Sequence, residues 1–199
     1  MPPLLQPVLP QPARVIVLNG ASSAGKTTLA KAMQALWSSP LHHVQLDAFR
    51  DMEPPDYWTG WENREKSETE LMLCALCCAM HAAVGEYAKH GQEVVFDTVL
   101  SNRRARHLLV ENLAHLPVYL VAVRCDATEL ARRETARRDR DVGLAASQVD
   151  WIHKSMQYDF EVDTTGKEPG RLAGEISNWL AGSPLPLALE RLRAQLNSA

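Results

Sequence analysis

Apolar positions along this chain fall into two recurring patterns: short runs that stop at a polar residue, and longer stretches spaced for a helix. Val15 to Leu18 is a β-branched and apolar run, and Leu29 to Trp37 follows with helical spacing. Leu41 to Leu46 reads as a second strand ending at Asp47. Ser67 is placed to cap a long helix, with Glu70 three residues on completing a capping box, as far as about His90 and Gly91. Glu93 to Phe96 predicts a third strand ending in Asp97, and Pro117 to Arg124 a fourth. Phe160 to Val162 is a weak fifth strand before Asp163. Helices are predicted over Asn102–Leu113, Ala127–Asp141, Ala145–Gln157, Pro169–Leu180 and Leu187–Leu196. Strands alternating with helices specify an α/β domain, a five-stranded parallel sheet with helices on both faces. Ligands gather beyond the carboxyl ends of such strands. Asp47, Asp97, Cys125–Asp126 and Asp163 all stand where a strand runs out.

Two stretches break the pattern. Met1 to Pro12 carries five prolines and no basic residue, so residues 1–13 read as a loose arm rather than a leader peptide. Asp51 to Asn63 mixes prolines with Tyr57, Trp58 and Trp61, an irregular aromatic segment. After the arm the chain divides into a domain over residues 14–181, which includes the aromatic segment and a helical lid over about 126–157, and an extension over 182–199. The 199 residues suit one domain with a proper core. A net charge of −3 gives no general attraction for nucleic acid or an anionic membrane. No apolar run stands out as a bilayer span, and the four cysteines form no disulfide framework, so a cytoplasmic location is expected. A homo-oligomer is compatible with everything here.

The stretch Gly20-Ala21-Ser22-Ser23-Ala24-Gly25-Lys26-Thr27-Thr28 spells G-x-x-x-x-G-K-T between the first strand and its helix. In that context the pattern is a Walker A loop. Its amides and the positive end of the helix dipole make a cradle for phosphate oxygens. Lys26 is placed to reach the β- and γ-phosphates, and the Thr27 hydroxyl to hold Mg²⁺. The expected ligand is a nucleoside triphosphate.

Asp47, about twenty residues past that loop, fits a base that takes the proton of an attacking hydroxyl, or a helix-capping Asp. Asp97 fits a Walker B carboxylate for Mg²⁺, a substrate contact, or a strand-closing Asp. Arg132, Arg133, Arg137, Arg138 and Arg140 crowd one segment, with Arg133, Arg137 and Arg140 on one helix face. They suit a lid that brings charge to a phosphoryl group, or a solvated helix paired through Glu129 and Glu134. Cys74, Cys77, Cys78 and His81 share a helical face, but their apolar neighbours assign them to the core. Tyr57, Trp58 and Trp61 are either packing or the wall of a pocket for an apolar substrate.

Taken together, Leu18 to Lys26, Val123-Arg124-Cys125-Asp126, Arg133 to Arg137 with Asp139-Arg140, and Tyr158-Asp159 with Glu161 to Thr165 carry a resemblance. From Arg14 to Leu180 the chain resembles the chloramphenicol phosphotransferases, small P-loop kinases related in fold to shikimate and nucleotide kinases. The resemblance implies ATP- and Mg²⁺-dependent phosphorylation of a hydroxyl on a small molecule, chloramphenicol or a similar compound. It implies Asp47 as base, Arg133 and Arg137 as lid arginines, and an adenine loop at Thr164, Thr165 and Lys167. Another hydroxylated metabolite, such as a nucleoside or sugar, is the alternative acceptor. A GTPase-like switch is a further alternative, but the chain has no N-K-x-D guanine motif, and Asp97 leads into Thr98-Val99-Leu100 rather than D-x-x-G.

Overall fold

The structure, a computed structural model, describes residues 11–54, 56–57, 65–136, 148 and 151–198. Five parallel strands form one sheet in the order β2-β3-β1-β4-β5: β1 Val15–Asn19, β2 Leu41–Gln45, β3 Glu93–Thr98, β4 Val118–Arg124 and β5 Phe160–Asp163. Helices α1 Lys26–Leu36, α2 Leu46–Arg50, α3 Lys66–Lys89, α4 Arg103–Leu113, α5 Ala127–Ala136, α6 Pro169–Ala181 and α7 Ala188–Asn197 connect and follow them. This is the doubly covered parallel sheet that the alternating pattern predicts.

Strand periodicity sorts the core into two layers. Val15 and Val17 of β1 face Met80 and Val84 of α3, Leu109 and Leu113 of α4, and Leu189 and Leu192 of α7. Ile16 and Leu18 face the other way, with Leu29 and Met33 of α1 and Leu172 and Ile176 of α6. A strand buried on both faces needs a continuous apolar run, which is what β1 has. Helix α7, in the segment read as an extension, closes the first layer. Asp159 anchors its start: Oδ1 accepts the amides of Leu187 and Ala188, and Oδ2 accepts that of Leu120 in β4.

Several local readings need correction. Helix α3 starts at Lys66 behind Glu65, with no side-chain cap, so the Ser67–Glu70 capping box does not form. By length and composition α3 is apolar enough to cross a bilayer, which the sequence reading missed. Here it seats Val84 and Ala88 in the core, with Gly85 against α4. Residues 151–155 form turns rather than the end of a helix, with Ser155 at φ 57. Residues 145–147 and 149–150 of the helix expected over Ala145–Gln157, and residues 137–141 of the one expected over Ala127–Asp141, lie outside the described residues.

Candidate active site

The phosphate loop joins the carboxyl end of β1 to the start of α1. Gly20 is needed for space: a Cβ there would lie 2.3 Å from the Val123 carbonyl oxygen of β4. Gly25 is needed for conformation, since it caps α1 at φ 88. Ser23 also has a left-handed backbone, at φ 60, and its buried hydroxyl has no hydrogen-bond partner. The Ser22 amide donates to Gln148 Oε1 at 2.7 Å, so a loop N–H already engages a polar oxygen. Within the loop Ala21 and Ala24 are buried, while Thr28 lines the adjoining cavity. Lys26 Nζ folds back to donate to the Gly20 and Ala21 carbonyls at 3.0 and 2.9 Å. The Ser22 amide, an orphan hydroxyl and a buried ammonium are a donor set suited to a phosphate chain.

Asp97 stands beside this loop. Thr27 Oγ1 donates to its Oδ2 at 2.6 Å, and Lys26 Nζ lies 3.8 Å from its Oδ1. His43 Nε2 is also 3.8 Å away, an electrostatic approach rather than a hydrogen bond. Burial opposes ionisation of Asp97, yet His43, Lys26 and Thr27 together hold its carboxyl below the ordinary carboxylate range. The pair is therefore a carboxylate bound to a hydroxyl. Among the described residues no group of three His, Cys, Asp or Glu forms a metal cage. One hydroxyl and one carboxylate fit Mg²⁺, which takes few protein oxygens and completes its shell with phosphate and water.

One cavity of about 1130 Å³ runs from this loop across the sheet end. Asp47 lines it from the first turn of α2, a five-residue helix after β2, rather than from the strand end itself. Gln45, Asp97 and Thr98 line the same stretch. Beyond them the wall is α3, through Glu70, Leu73, Cys74, Cys77, Met80 and His81, and the start of α4, through Asn102 and Arg104. Cys74, Cys77 and His81 thus reach the cavity, a correction to their assignment as plain core. The thiols are free. Tyr57 is 38% exposed and is not a lining residue, while Trp58 and Trp61 lie outside the described residues.

At the other end of the cavity Arg133 lies across the loop. Its Nη1 would be 3.2 Å from a Cβ on Gly25. Its guanidinium donates to Glu129 Oε1 and to the Thr164 hydroxyl and carbonyl, at 2.8, 3.1 and 2.8 Å. Arg132 and Arg133 together pull the Glu129 carboxyl down to about 2. The Thr164 hydroxyl in turn donates to the Ala24 carbonyl at 2.8 Å, locking this loop to the phosphate loop. Thr165 Oγ1 accepts the Asp126 amide, and Lys167 lines the cavity. Arg137 lies outside the described residues.

Asn19 is a positioning residue that sequence reasoning did not single out. Fully buried at the end of β1, it accepts the Leu100 amide through Oδ1 and donates from Nδ2 to the Tyr158 hydroxyl at 2.7 Å. Tyr158 in turn lies 2.8 Å from His153 Nδ1. Burial pushes Tyr158 up to about 12 and, with Arg124 nearby, His153 down to about 4. Asn19 already donates to the Tyr158 oxygen, so the phenol hydrogen is available to the neutral imidazole, whose Nδ1 accepts the hydrogen bond without taking the proton. This chain of bonds fixes the loop after β3 and the segment before β5 to the start of the phosphate loop. Its only sequence signal is adjacency to Gly20.

A family model described as chloramphenicol phosphotransferase-like protein matches residues 13–181. A protein of Mycobacterium tuberculosis provisionally named an O-phosphotransferase is 32% identical over 203 residues, covering 93% of this chain and 90% of its own. Among solved structures, a sugar kinase from Janibacter sp. superposes with a TM-score of 0.63 at 19% identity, over 89% of this chain and 98% of that one. The Mycobacterium tuberculosis APS kinase in complex with AMPPNP and APS gives 0.62 at 14% identity, over 86% and 99%. At those identities the structural matches establish the fold, a P-loop kinase fold.

Proposed function

The chain belongs to the chloramphenicol phosphotransferase-like family, and from that premise we propose that it transfers the γ-phosphoryl group of ATP to a hydroxyl of a small molecule, chloramphenicol or a compound like it. The observation that carries this reading is the single cavity with the phosphate loop in one half and Asp47 against an apolar wall in the other. Donor and acceptor can lie in one space, without an intervening surface.

In this reading the loop amides, Ser23 and Lys26 grip the triphosphate, and Arg133, with Arg137 from the lid, adds charge over the transferring group. The acceptor oxygen forms a bond to the γ-phosphorus as the bond to the β-phosphate bridging oxygen breaks. ADP leaves with that electron pair, and Asp47 receives the hydroxyl proton. Thr27 and Asp97 would hold Mg²⁺, which offsets phosphate charge. Thr164, Thr165 and Lys167 border the nucleoside. The apolar side chains of α3 exclude water, so that the acceptor hydroxyl rather than solvent attacks.

ADP release measured with and without chloramphenicol tests the reading, with adenosine and glucose as rival acceptors. Acceptor-dependent ADP release is expected, and Asp47→Ala should lower it about 10²- to 10⁴-fold while nucleotide still binds. Unchanged turnover in Asp47→Ala would remove the base. Nucleotide binding with no turnover on any acceptor would remove the kinase.

A further inference from the structure

Helix α3 puts one buried polar ring into a wall made of aliphatic side chains and thiols, with the exposed Glu70 at its outer end. His81 is 2% exposed and lines the cavity one turn beyond Cys77. Its Nδ1 lies 2.7 Å from the Cys77 carbonyl oxygen. A carbonyl only accepts, so Nδ1 carries the hydrogen and Nε2 is left with a bare lone pair. The edge-on contact with Phe96, centroids 4.9 Å apart at 90°, holds the ring in that orientation. Burial lowers the basicity of the imidazole, which keeps it neutral. Yet Nε2 itself is buried with no hydrogen-bond partner. Buried acceptors in folded proteins are nearly always paired, so an orphan beside a ligand cavity calls for a donor from the ligand.

We propose that His81 Nε2 is the fixed hydrogen-bond acceptor of the substrate half of the cavity, taking a hydroxyl or amide N–H other than the hydroxyl that is phosphorylated. The substrate class follows from the two ends of the wall. It is a compound with an apolar body to lie along Leu73, Met80 and the two thiols, and two separate donors, one for Asp47 and one for His81. A diol or a hydroxy-amide satisfies this; a simple alcohol does not. The inference rests on the kinase reading above and adds the residue that selects the acceptor.

Chloramphenicol, which has a secondary hydroxyl and an amide N–H beside its primary hydroxyl, is the first probe, with adenosine and glucose in the same panel. Each acceptor that the wild type turns over is compared with analogues methylated at one non-reacting donor. For one of those donors, methylation should lower wild-type kcat/KM about 10- to 100-fold. His81→Phe, which keeps a ring against Phe96, should have lost that discrimination, with the change in the acceptor KM rather than the ATP KM. His81→Gln, which keeps an accepting oxygen, should retain part of it and serves if the Phe variant does not fold. Ring-¹⁵N NMR of the wild type should show an unprotonated Nε2. Discrimination persisting in His81→Phe, wild-type indifference to every methylation, equal use of a mono-alcohol, or a protonated Nε2 would overturn the assignment while leaving the kinase standing. Turnover of nothing in the panel would overturn both.

Discussion

The Thr27 hydroxyl donates to Asp97 Oδ2 at 2.6 Å, joining the first turn of α1 to the end of β3. The contact brings the phosphate loop and the acidic end of β3 together beside Lys26. It also gives Asp97 a structural job in addition to any part in the reaction, so the two have to be separated by substitution.

Asp97→Asn keeps an oxygen for Thr27 but removes the charge facing Lys26. ADP formation is expected to fall about 100-fold with little change in thermal midpoint, whereas Asp97→Ala should lower both. Activity assays beside thermal melts of the two variants check this. Equal melting and equal activity in all three proteins would deny Asp97 both roles.

Gly20→Ala should cripple the protein. The added Cβ would lie 2.3 Å from the backbone oxygen of Val123, in a central strand that has no room to move. The expected result is loss of nucleotide binding, followed by titration with a fluorescent ATP analogue, and a destabilisation of about 1–3 kcal/mol or more in urea.

Stability should depend on His153 in mildly acid solution. Its folded value is depressed from 6.5 to about 4, so the unfolded chain binds the proton first. The contribution is complete above 6.5 and is lost as pH falls toward 4, when a protonated Nδ1 can no longer accept from Tyr158. Melting temperatures measured between those values should decline in the wild type and decline less in His153→Gln.

Asp159→Ala removes the acceptor for three backbone amides, two of them at the start of α7. A loss of about 2–3 kcal/mol is expected in urea unfolding. Leu192→Ala, in the face of α7 that enters the core, should cost about 2–5 kcal/mol by leaving a cavity. If neither variant moves the unfolding midpoint, α7 contributes nothing to the fold.

The donor half was readable because its signals are local. A buried strand, two glycines and Lys26-Thr27 fall within one short stretch, and the spacing alone fixes their geometry. The acceptor half was not. Leu46 to Arg50 is too short to show a period, so Asp47 read as a strand end rather than a residue in the first turn of a helix. Leu71 to Met80 is apolar nearly all the way round, so nothing in its pattern tells the cavity side from the core side. That is why Cys74, Cys77 and His81 passed for packing. Asn19 was invisible for another reason: its partners, Leu100 and Tyr158, are far away in sequence and only the fold brings them together.

Arg103 donates from Nη2 to the Leu196 carbonyl at 2.6 Å, on the first residue of the helix whose neighbours Asn102 and Arg104 face the cavity. The final turn of α7 thereby buttresses the α4 side of the cavity. Trimming the carboxyl end through Leu196 would remove both this tie and a core side chain, so the helix carrying Arg103 and the layer beneath it would loosen together. The last turn of the chain is thus wired to the rim of the cavity as well as to the core.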